Sequence, residues 1–247
     1  AGAQAGIYLG IDVGTQSVKV LAYDAHAGQV VAQQSRPLDL DSGDDGRREQ
    51  QAQDWIEALQ ACVKALPAQV RAQVRALAVS GQQHGFVALG RDDAVLAPVK
   101  LWCDTSSTAH CDAITDAMGG EAACIAAAGN PIRVGYTASK LPWTRKHRSE
   151  AYASMTSVLL PHDYVNFWLT GERYTEFGDA SGSGWLDVRT RQWSAPLLQA
   201  IDPQRDLAAA LPPLVPTETT FSLSAAAAQT LGLPRDVRVA TGGGDNM

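Results

Sequence analysis

The beginning of the chain constrains the fold more than any other part. Three apolar segments with period-two alternation, residues 7–12, 17–24 and 29–35, predict β-strands. The turns between them, residues 13–16 and 25–28, contain glycine and are too short to hold a crossover helix. Each strand therefore has to pair with the one before it, and the fold opens with an antiparallel meander.

The next segment predicts a helix that crosses over this sheet. Residues 37–50 are rich in Asp, Arg, Ser and Gly, which is typical of a solvated loop. Apolar residues from Trp55 to Leu66 then recur at helical spacing until Pro67 ends the run, and residues 75–80 have the pattern of a strand. The order strand, helix, strand indicates a crossover packed on the opening sheet.

Residues 105–210 predict a mostly helical insertion, with loops rich in Gly, Pro, Asn and Ser. The helices expected there cover residues 106–118, 120–128, 138–147, 161–169 and 195–201. Residues 212–216 are proline-rich and predict a stiff connector, after which a helix at 224–231 and a strand at 237–241 return to the sheet. The predicted fold class is α/β, a mixed sheet that opens in an antiparallel meander and carries a mostly helical insertion.

Composition excludes several classes of partner. The chain has 247 residues, 45% of them hydrophobic, and a net charge of -6. Its Lys and Arg residues are scattered, so no positive stripe for nucleic acid is expected. No apolar run approaches the ~20 residues of a membrane span. The four cysteines have neither CxxC spacing nor nearby metal-spaced histidines, so we expect reduced thiols in a cytoplasmic protein.

Two aspartates, each framed by glycines, follow predicted strands at opposite ends of the chain. Asp12 lies in a turn that offers backbone N–H groups, a carboxylate and the hydroxyls of Thr15 and Ser17, a set suited to a phosphate and Mg²⁺. Asp245 follows three glycines and could accept a proton from a hydroxyl that attacks a phosphate. The alternatives are that Asp12 bonds its own turn and that Asp245 caps a following helix.

Two further segments carry polar groups suited to a polyhydroxylated substrate. Residues 80–85 (SGQQHG) follow a strand and present Gln83 and His84 between glycines. Trp102 and Asp104 pair an aromatic ring with a carboxylate, a combination that can stack on a sugar and bond its hydroxyls. The structural alternatives are a polar turn for His84, core packing for Trp102 and helix capping for Asp104.

The order and spacing of seven motifs resemble the N-terminal domain of the FGGY carbohydrate kinases over essentially the whole chain. The motifs are residues 10–15 (GIDVGT), 81–85 (GQQHG), 101–104 (LWCD), 159–164 (LLPHDY), 169–172 (LTGE), 179–187 (DASGSGWLD) and 242–246 (GGGDN). Within this family, the His84 loop combined with the Trp102 segment is most similar to the enzymes that act on D-xylulose.

The resemblance implies a ribonuclease H-like, actin-type fold and transfer of phosphate from ATP, with Mg²⁺, to the terminal hydroxyl of D-xylulose. It implies that residues 1–247 form the sugar-binding domain and that the C-terminal ATP-binding domain is absent from this chain. It also leaves a homodimer possible, as many kinases of this fold pair through a lobe. The implied catalytic base is Asp245, and Asp12 would face Mg²⁺, directly or through water. The implied sugar ligands are Gln83, His84, Trp102, Asp104 and Asn246, and the implied ATP-phosphate contacts are Asp12, Gly14, Thr15, Gln16 and Ser17.

Two alternatives remain open on sequence grounds. The chain could belong to a kinase of the same family that acts on ribulose, a hexonate or glycerol. It could also be a non-catalytic sugar-binding module of actin-like fold. Turnover assays with different polyols distinguish a xylulose kinase from the other kinases of the family. Loss of turnover in Asp245→Ala, with sugar binding retained, distinguishes an enzyme from a non-catalytic binding module.

Overall fold

The computed structural model describes residues 6–246. The strands are β1 (Ile7–Val13), β2 (Ser17–Asp24), β3 (Gln29–Pro37), β4 (Asp41–Ser42), β5 (Arg48–Gln50), β6 (Val74–Gly81), β7 (Val87–Leu89), β8 (Val99–Lys100), β9 (Ser157–Leu159), β10 (Thr175–Glu176), β11 (Leu186–Asp187), β12 (Gln192–Trp193), β13 (Leu214–Val215), β14 (Thr220–Ser222), β15 (Arg238–Ala240) and β16 (Gly243–Gly244). The helices are α1 (Ala52–Ala65), α2 (Ala68–Arg71), α3 (Thr108–Met118), α4 (Glu121–Ala128), α5 (Lys140–His147), α6 (Ser149–Ser154), α7 (Pro161–Thr170), α8 (Phe177–Ser181), α9 (Ala195–Ile201) and α10 (Ala225–Leu231), with a 3-10 turn at Ala208–Ala210.

A seven-stranded mixed sheet forms the centre of the fold. Its order is β14, β15, β6, β1, β2 and β3, and β16 also pairs with β6. Strands β1, β2 and β3 pair antiparallel, whereas β6 runs parallel to β1, β15 and β16. The predicted α/β class, the opening meander and the crossover through α1 are therefore confirmed.

Side-chain alternation gives the two faces of this sheet different surroundings. Ile11 and Val13 of β1 and Val20 of β2 are buried in the main core, together with residues of α1, α7 and α10. The opposite face of β2 carries Leu21 and Tyr23, which are 39% and 40% exposed. The face of the sheet that packs against the helices thus forms the main core, and the opposite face is accessible to a ligand or a partner.

Trp55 of α1 shows how the helix is locked onto this core. Its ring is fully buried, and its indole N–H donates to Gln50 Oε1 at 2.9 Å. A buried indole N–H without an acceptor costs free energy, so this bond lets a large apolar ring enter the core without an unpaired donor.

Two segments predicted as loop or connector contain short strands instead. Residues 48–50 form β5, which pairs with β8, and Glu49 and Gln50 are buried. Leu214–Val215 within the proline-rich segment form β13, which pairs parallel with β10. Both predictions were wrong in part because local composition does not reveal pairing with a distant strand.

The inserted helices between residues 105 and 210 have a second core of their own. It is built from buried side chains of α3, α4, α5 and α9, among them Cys111, Ile114, Leu141 and Leu197. The predicted helices of this region are confirmed to within one or two residues at most ends. Across residues 6–246, none of the helices has the length and apolar character needed to cross a membrane.

Candidate active site

The two glycine-framed aspartates line one hollow on the open face of the sheet. This hollow has a volume of about 670 Å³ and is lined by the ends of β1, β2, β6 and β16, including Asp12, Lys19, Ser80 and Asp245. Asp12 lies opposite Lys19 across the first hairpin and beside Ser80 on the parallel strand. The fold therefore brings these two aspartates, which are distant in sequence, together at a single cleft.

Lys19 was missed by the sequence interpretation, although a signal for it was present. Once residues 7–24 are taken as a tight hairpin, the register pairs Asp12 with Lys19 on one face of the sheet. An exposed ammonium beside a carboxylate in a cleft is a candidate contact for a phosphate.

Two of the three glycines before Asp245 lie where neighbouring groups leave no room for a side chain, whereas Gly243 has open space around it. Gly242 has φ +66, and a Cβ added there would lie 2.0 Å from the Val79 carbonyl oxygen. A Cβ on Gly244 would lie 2.5 Å from the Gln83 amide nitrogen. The Asp245 N–H donates to the Gly81 carbonyl at 2.9 Å, so the strand end that carries the carboxylate is held directly against the loop that carries Gln83 and His84.

The surroundings of the Asp245 carboxylate increase its affinity for a proton. Burial raises its pKa above the ordinary value, and the negative charges of Asp12 and Asp179 raise it further. Its one hydrogen-bond partner among residues 6–246 is the amide of Asn246, at 3.3 Å. A raised pKa increases proton affinity, which is what proton transfer from a hydroxyl requires.

The turn after β1 is fixed by donors from three other segments. The Gln50 amide donates to the Thr15 carbonyl at 2.7 Å, and the Trp102 indole donates to the Thr15 hydroxyl at 2.9 Å. The Gln82 amide donates to the Gly14 carbonyl at 3.3 Å. Gln50 was missed by the sequence interpretation, because Thr15 lies 35 residues away along the chain and the contact with Trp55 depends on the position of α1.

The remaining predicted phosphate contacts lie at the same turn. The Gly14 N–H donates to the Ser17 carbonyl at 3.1 Å and closes the hairpin. Gln16 is exposed. The backbone carbonyl of Gln16 accepts a hydrogen bond from the Leu38 N–H at 2.9 Å. Ser17 opens β2 and is half-buried.

His84 has a strained backbone and a defined tautomer. Among residues 6–246 it is one of three residues other than glycine with a positive φ, 65°, a conformation that is uncommon outside glycine and concentrates at functional sites. Its Nδ1 lies 2.8 Å from the Gly182 carbonyl, which can only accept, so Nδ1 carries the proton and Nε2 is left as an acceptor. Burial lowers the pKa of His84, and the nearby charge of Lys140 lowers it further, which favours this neutral form.

The loop of residues 135–137 holds the His84 side chain and backbone in place. The Tyr136 ring packs against the imidazole with centroids 4.9 Å apart, and the Thr137 hydroxyl donates to the His84 carbonyl at 3.1 Å. The Lys140 ammonium donates to the carbonyls of Gly135 and Tyr136 at 2.6 and 2.8 Å. These contacts preorganise one ring nitrogen for a ligand hydroxyl.

Asp104, predicted from the sequence as a sugar ligand, is buried in a network of hydrogen bonds and ion pairs. Its side chain is 0% exposed. One carboxylate oxygen accepts from the Arg48 N–H at 2.8 Å and from Lys100 Nζ at 2.9 Å, and the other accepts from the Ser106 N–H and hydroxyl at 3.0 and 2.6 Å. Both oxygens are thus occupied in a structural network, whereas Trp102, 50% exposed, is available for stacking.

Lys100 is the centre of that network. Its ammonium contacts Glu49 at 3.1 Å and Asp104 at 2.9 Å, and it lies 3.7 Å from the centre of the Trp143 ring. Arg148 donates to both oxygens of Glu49, at 3.0 and 2.8 Å. This cluster joins β5, β8 and α5 behind the Trp102 segment.

The donors and acceptors at the cleft suit Mg²⁺ and phosphate. The Asp12 carboxylate faces the hollow and accepts no hydrogen bond from the part of the chain that the structure describes. Carboxylate oxygens with no internal donor are the ligands that a hard divalent cation takes, so Asp12 fits this role.

Residues 7–247 match the FGGY family of carbohydrate kinases, N-terminal domain. A curated relative from Haemophilus influenzae, named xylulose kinase, is 39% identical over 98% of this chain and 50% of its own length. A solved structure from Brucella ovis, named xyloylose kinase, is 35% identical with a TM-score of 0.86 and is matched over 97% of this chain and 49% of that chain.

A ligand-bound xylulose kinase from Lactobacillus acidophilus, 24% identical with a TM-score of 0.87, supports the fold alone. The predicted actin-type, ribonuclease H-like fold is confirmed by these structural neighbours. The chain spans about half the length of the curated relatives it matches.

Proposed function

Because the chain belongs to the FGGY family of carbohydrate kinases, we propose that it is the sugar-binding half of an enzyme that uses ATP to phosphorylate D-xylulose to D-xylulose 5-phosphate. The observation that carries the proposal is the hollow shared by Asp12 and Asp245, beside the loop of Gln83 and His84. The names of its relatives support xylulose as the substrate.

Asp245 acts as the general base in this proposal. As the terminal hydroxyl of the ketose attacks the γ-phosphorus of ATP, a new O–P bond forms, the bond to the ADP oxygen breaks, and the hydroxyl proton passes to Asp245. Asp12 would hold Mg²⁺, which neutralises charge on the phosphates. Thr15 and the backbone N–H groups of its turn, together with Lys19, would donate to phosphate oxygens.

The sugar is held by groups around the same strand end. His84 Nε2 accepts a hydrogen bond from one hydroxyl, while Gln83 and Asn246 offer amide donors and acceptors. The exposed ring of Trp102 supplies an apolar plate for a face of the sugar.

The ATP-binding half is proposed to lie in polypeptide beyond residues 1–247, consistent with the half-length match to relatives. Leu21, Tyr23 and Val31, each about two-fifths exposed on the meander, would be covered in part by that half. Closure of the two halves would exclude water from the transfer. A homodimer and a cytoplasmic location remain predictions from the sequence.

The test is turnover by the full-length enzyme with ATP, Mg²⁺ and a panel of D-xylulose, D-ribulose, gluconate and glycerol. We expect D-xylulose to give the highest kcat/KM and the product to be the 5-phosphate. If the folded full-length enzyme has a higher kcat/KM for another polyol of the panel, that polyol is the substrate and the assignment of D-xylulose is wrong. Sugar binding with no phosphorylation of any of the four would favour a non-catalytic sugar-binding module.

Replacing His84 by asparagine is expected to raise the KM for the sugar by about tenfold to a hundredfold, with a smaller change in kcat. Asparagine tolerates the positive φ, and its amide can still donate to the Gly182 carbonyl, but the acceptor at Nε2 is lost. Initial-rate kinetics of the full-length enzyme measure this, with His110→Asn as the matched control. Equal KM values for the two variants would remove His84 from the sugar site.

A further inference from the structure

A chain of buried polar side chains lies beneath the strand end that carries Asp245, and the proposed mechanism does not use it. Asp179 Oδ2 lies 3.5 Å from His162 Nδ1, and His162 Nε2 lies 3.1 Å from the Asn166 amide nitrogen. The same amide nitrogen donates to the Thr241 carbonyl at 3.1 Å. All four residues are at most 1% exposed.

The imidazole of His162 is wedged between two glycine positions of the cleft. A Cβ added to Gly81 would lie 2.9 Å from His162 Cβ, and a Cβ added to Gly242 would lie 2.9 Å from His162 Nε2. These glycines begin the Gln83 loop and the Asp245 strand end, respectively. His162 therefore packs against both parts of the candidate site, with its backbone and Cβ at Gly81 and its imidazole at Gly242.

The hydrogen bonds specify which nitrogen of His162 carries the proton. Because the Thr241 carbonyl can only accept, the Asn166 amide must present its NH₂ group there. The same NH₂ group faces His162 Nε2, so Nε2 has to be an acceptor and Nδ1 carries the proton toward Asp179. Protonation of Nε2 would place two donors face to face and would turn the Asn166 amide, which removes the donor from the Thr241 carbonyl.

The charged groups around His162 oppose its neutral form. They are Asp163 on α7, Asp179 on α8 and Glu176 just before α8, all acidic and buried. Burial lowers the pKa of His162, but the hydrogen bond and charge of Asp179, with the charges of Asp163 and Glu176, outweigh burial and raise it. The acidic groups therefore favour the protonated ring below the raised pKa, a contribution to stability that is lost as pH rises through it, but this proton is gained at the expense of the bond from Asn166 to the Thr241 carbonyl.

We propose that His162, oriented by Asp179, is a positioning residue for phosphoryl transfer, because only its neutral form lets Asn166 hold the Thr241 carbonyl at the base of the Asp245 strand end. The inference rests on the proposed role of Asp245. Its consequence is that the strand end is fully ordered for catalysis above the pKa of His162 and loosened below it.

A buried metal ion is the competing explanation for the same cluster. Ligand atoms of His162, Asp163 and Asp179 lie within 4.8 Å of one another, and His162 Nδ1 and both Asp179 oxygens lack a well-formed hydrogen bond within residues 6–246. Asp163 Oδ1 also lacks a partner there, but its Oδ2 already accepts from the Leu160 N–H at 3.0 Å. The pKa of Asp163 is raised to about 8 by burial and by the charge of Asp179, so a proton on Asp163 can also balance the cluster.

The first test reads the tautomer by NMR and does not depend on a measurement of activity. The chain is labelled with ¹⁵N-histidine, and the imidazole nitrogens are followed by NMR between pH 5 and 9, with His162→Asn used for assignment. We expect neutral His162 to carry its proton on Nδ1 and to titrate above the ordinary histidine pKa of ~6.5. A proton on Nε2, the absence of titration, or a stoichiometric metal ion beyond the Mg²⁺ proposed at Asp12 would overturn the proposal.

The second test reads catalysis in the full-length enzyme through the pH profile of kcat. Wild type should lose activity as pH falls through the pKa of His162, and His162→Asn should lack this step, since asparagine can donate to Asp179 but does not titrate. Asp179→Asn should move the step to lower pH, because one negative charge is removed. The control His26→Asn alters an exposed histidine and should keep the wild-type profile.

The two tests separate this proposal from the proposed function. If the wild-type protein has no kinase activity but His162 carries its proton on Nδ1, the proposed function is wrong and the assigned tautomer is correct. An active kinase in which His162→Asn retains the wild-type acid step would reject the positioning role alone.

Discussion

Replacement of Asp245 by asparagine is expected to lower kcat of the full-length kinase by about two to four orders of magnitude, the range that loss of a general base usually produces. The amide is close in size to the carboxylate but cannot take the proton of the attacking hydroxyl. The backbone bond from Asp245 to the Gly81 carbonyl does not involve the side chain, so the strand end should keep its position. The Kd for the sugar should therefore change little.

Steady-state rates and sugar binding by calorimetry measure the two effects separately. The matched control is Asp236→Asn, an exposed aspartate just before β15. A kcat within a few-fold of wild type in Asp245→Asn would mean that another group accepts the proton. A parallel loss of sugar binding would instead make Asp245 a substrate ligand.

The local parts of this site were predictable from the sequence. The hairpin that carries Asp12 was predicted from period-two alternation and a short turn. The second strand of this hairpin, β2, begins at Ser17 and ends at Asp24, as predicted. The three glycines before Asp245 predicted a close approach, and the structure shows one at Gly242, against the Val79 backbone, and at Gly244, against the Gln83 side chain, but not at Gly243. In both cases the signal lies within a few residues of the side chain concerned.

The long-range parts were not predictable. Asp104 was a plausible sugar ligand next to an exposed tryptophan, but β5 brings Arg48 to one of its oxygens from 56 residues away. Gln50 sits in a segment with loop composition, yet its amide links Thr15 and Trp55. Such roles depend on which strands pair and where a helix docks, and neither is encoded in local pattern.

Replacement of Lys100 by methionine is expected to lower the free energy of unfolding by about 3–5 kcal/mol, the range measured when one partner of a buried ion pair is removed. Methionine can fill the space of the lysine stem but leaves Glu49 and Asp104 in a buried site with one cation fewer. Arg148 still pairs with Glu49, so the loss falls mainly on Asp104.

Urea denaturation measures this effect, with Lys64→Met on the exposed face of α1 as the control and an expected change within ~0.5 kcal/mol. Burial acts to raise the pKa of Asp104, but hydrogen bonds from Ser106, Arg48 and Lys100 outweigh it and hold the pKa below its ordinary value. A lowered pKa gives stability that is present above the unfolded-state pKa and lost as pH falls. The difference in unfolding free energy between wild type and Lys100→Met should therefore become smaller at acid pH. Equal unfolding free energies of the two proteins at neutral pH would show that the cluster does not stabilise the fold through its charges.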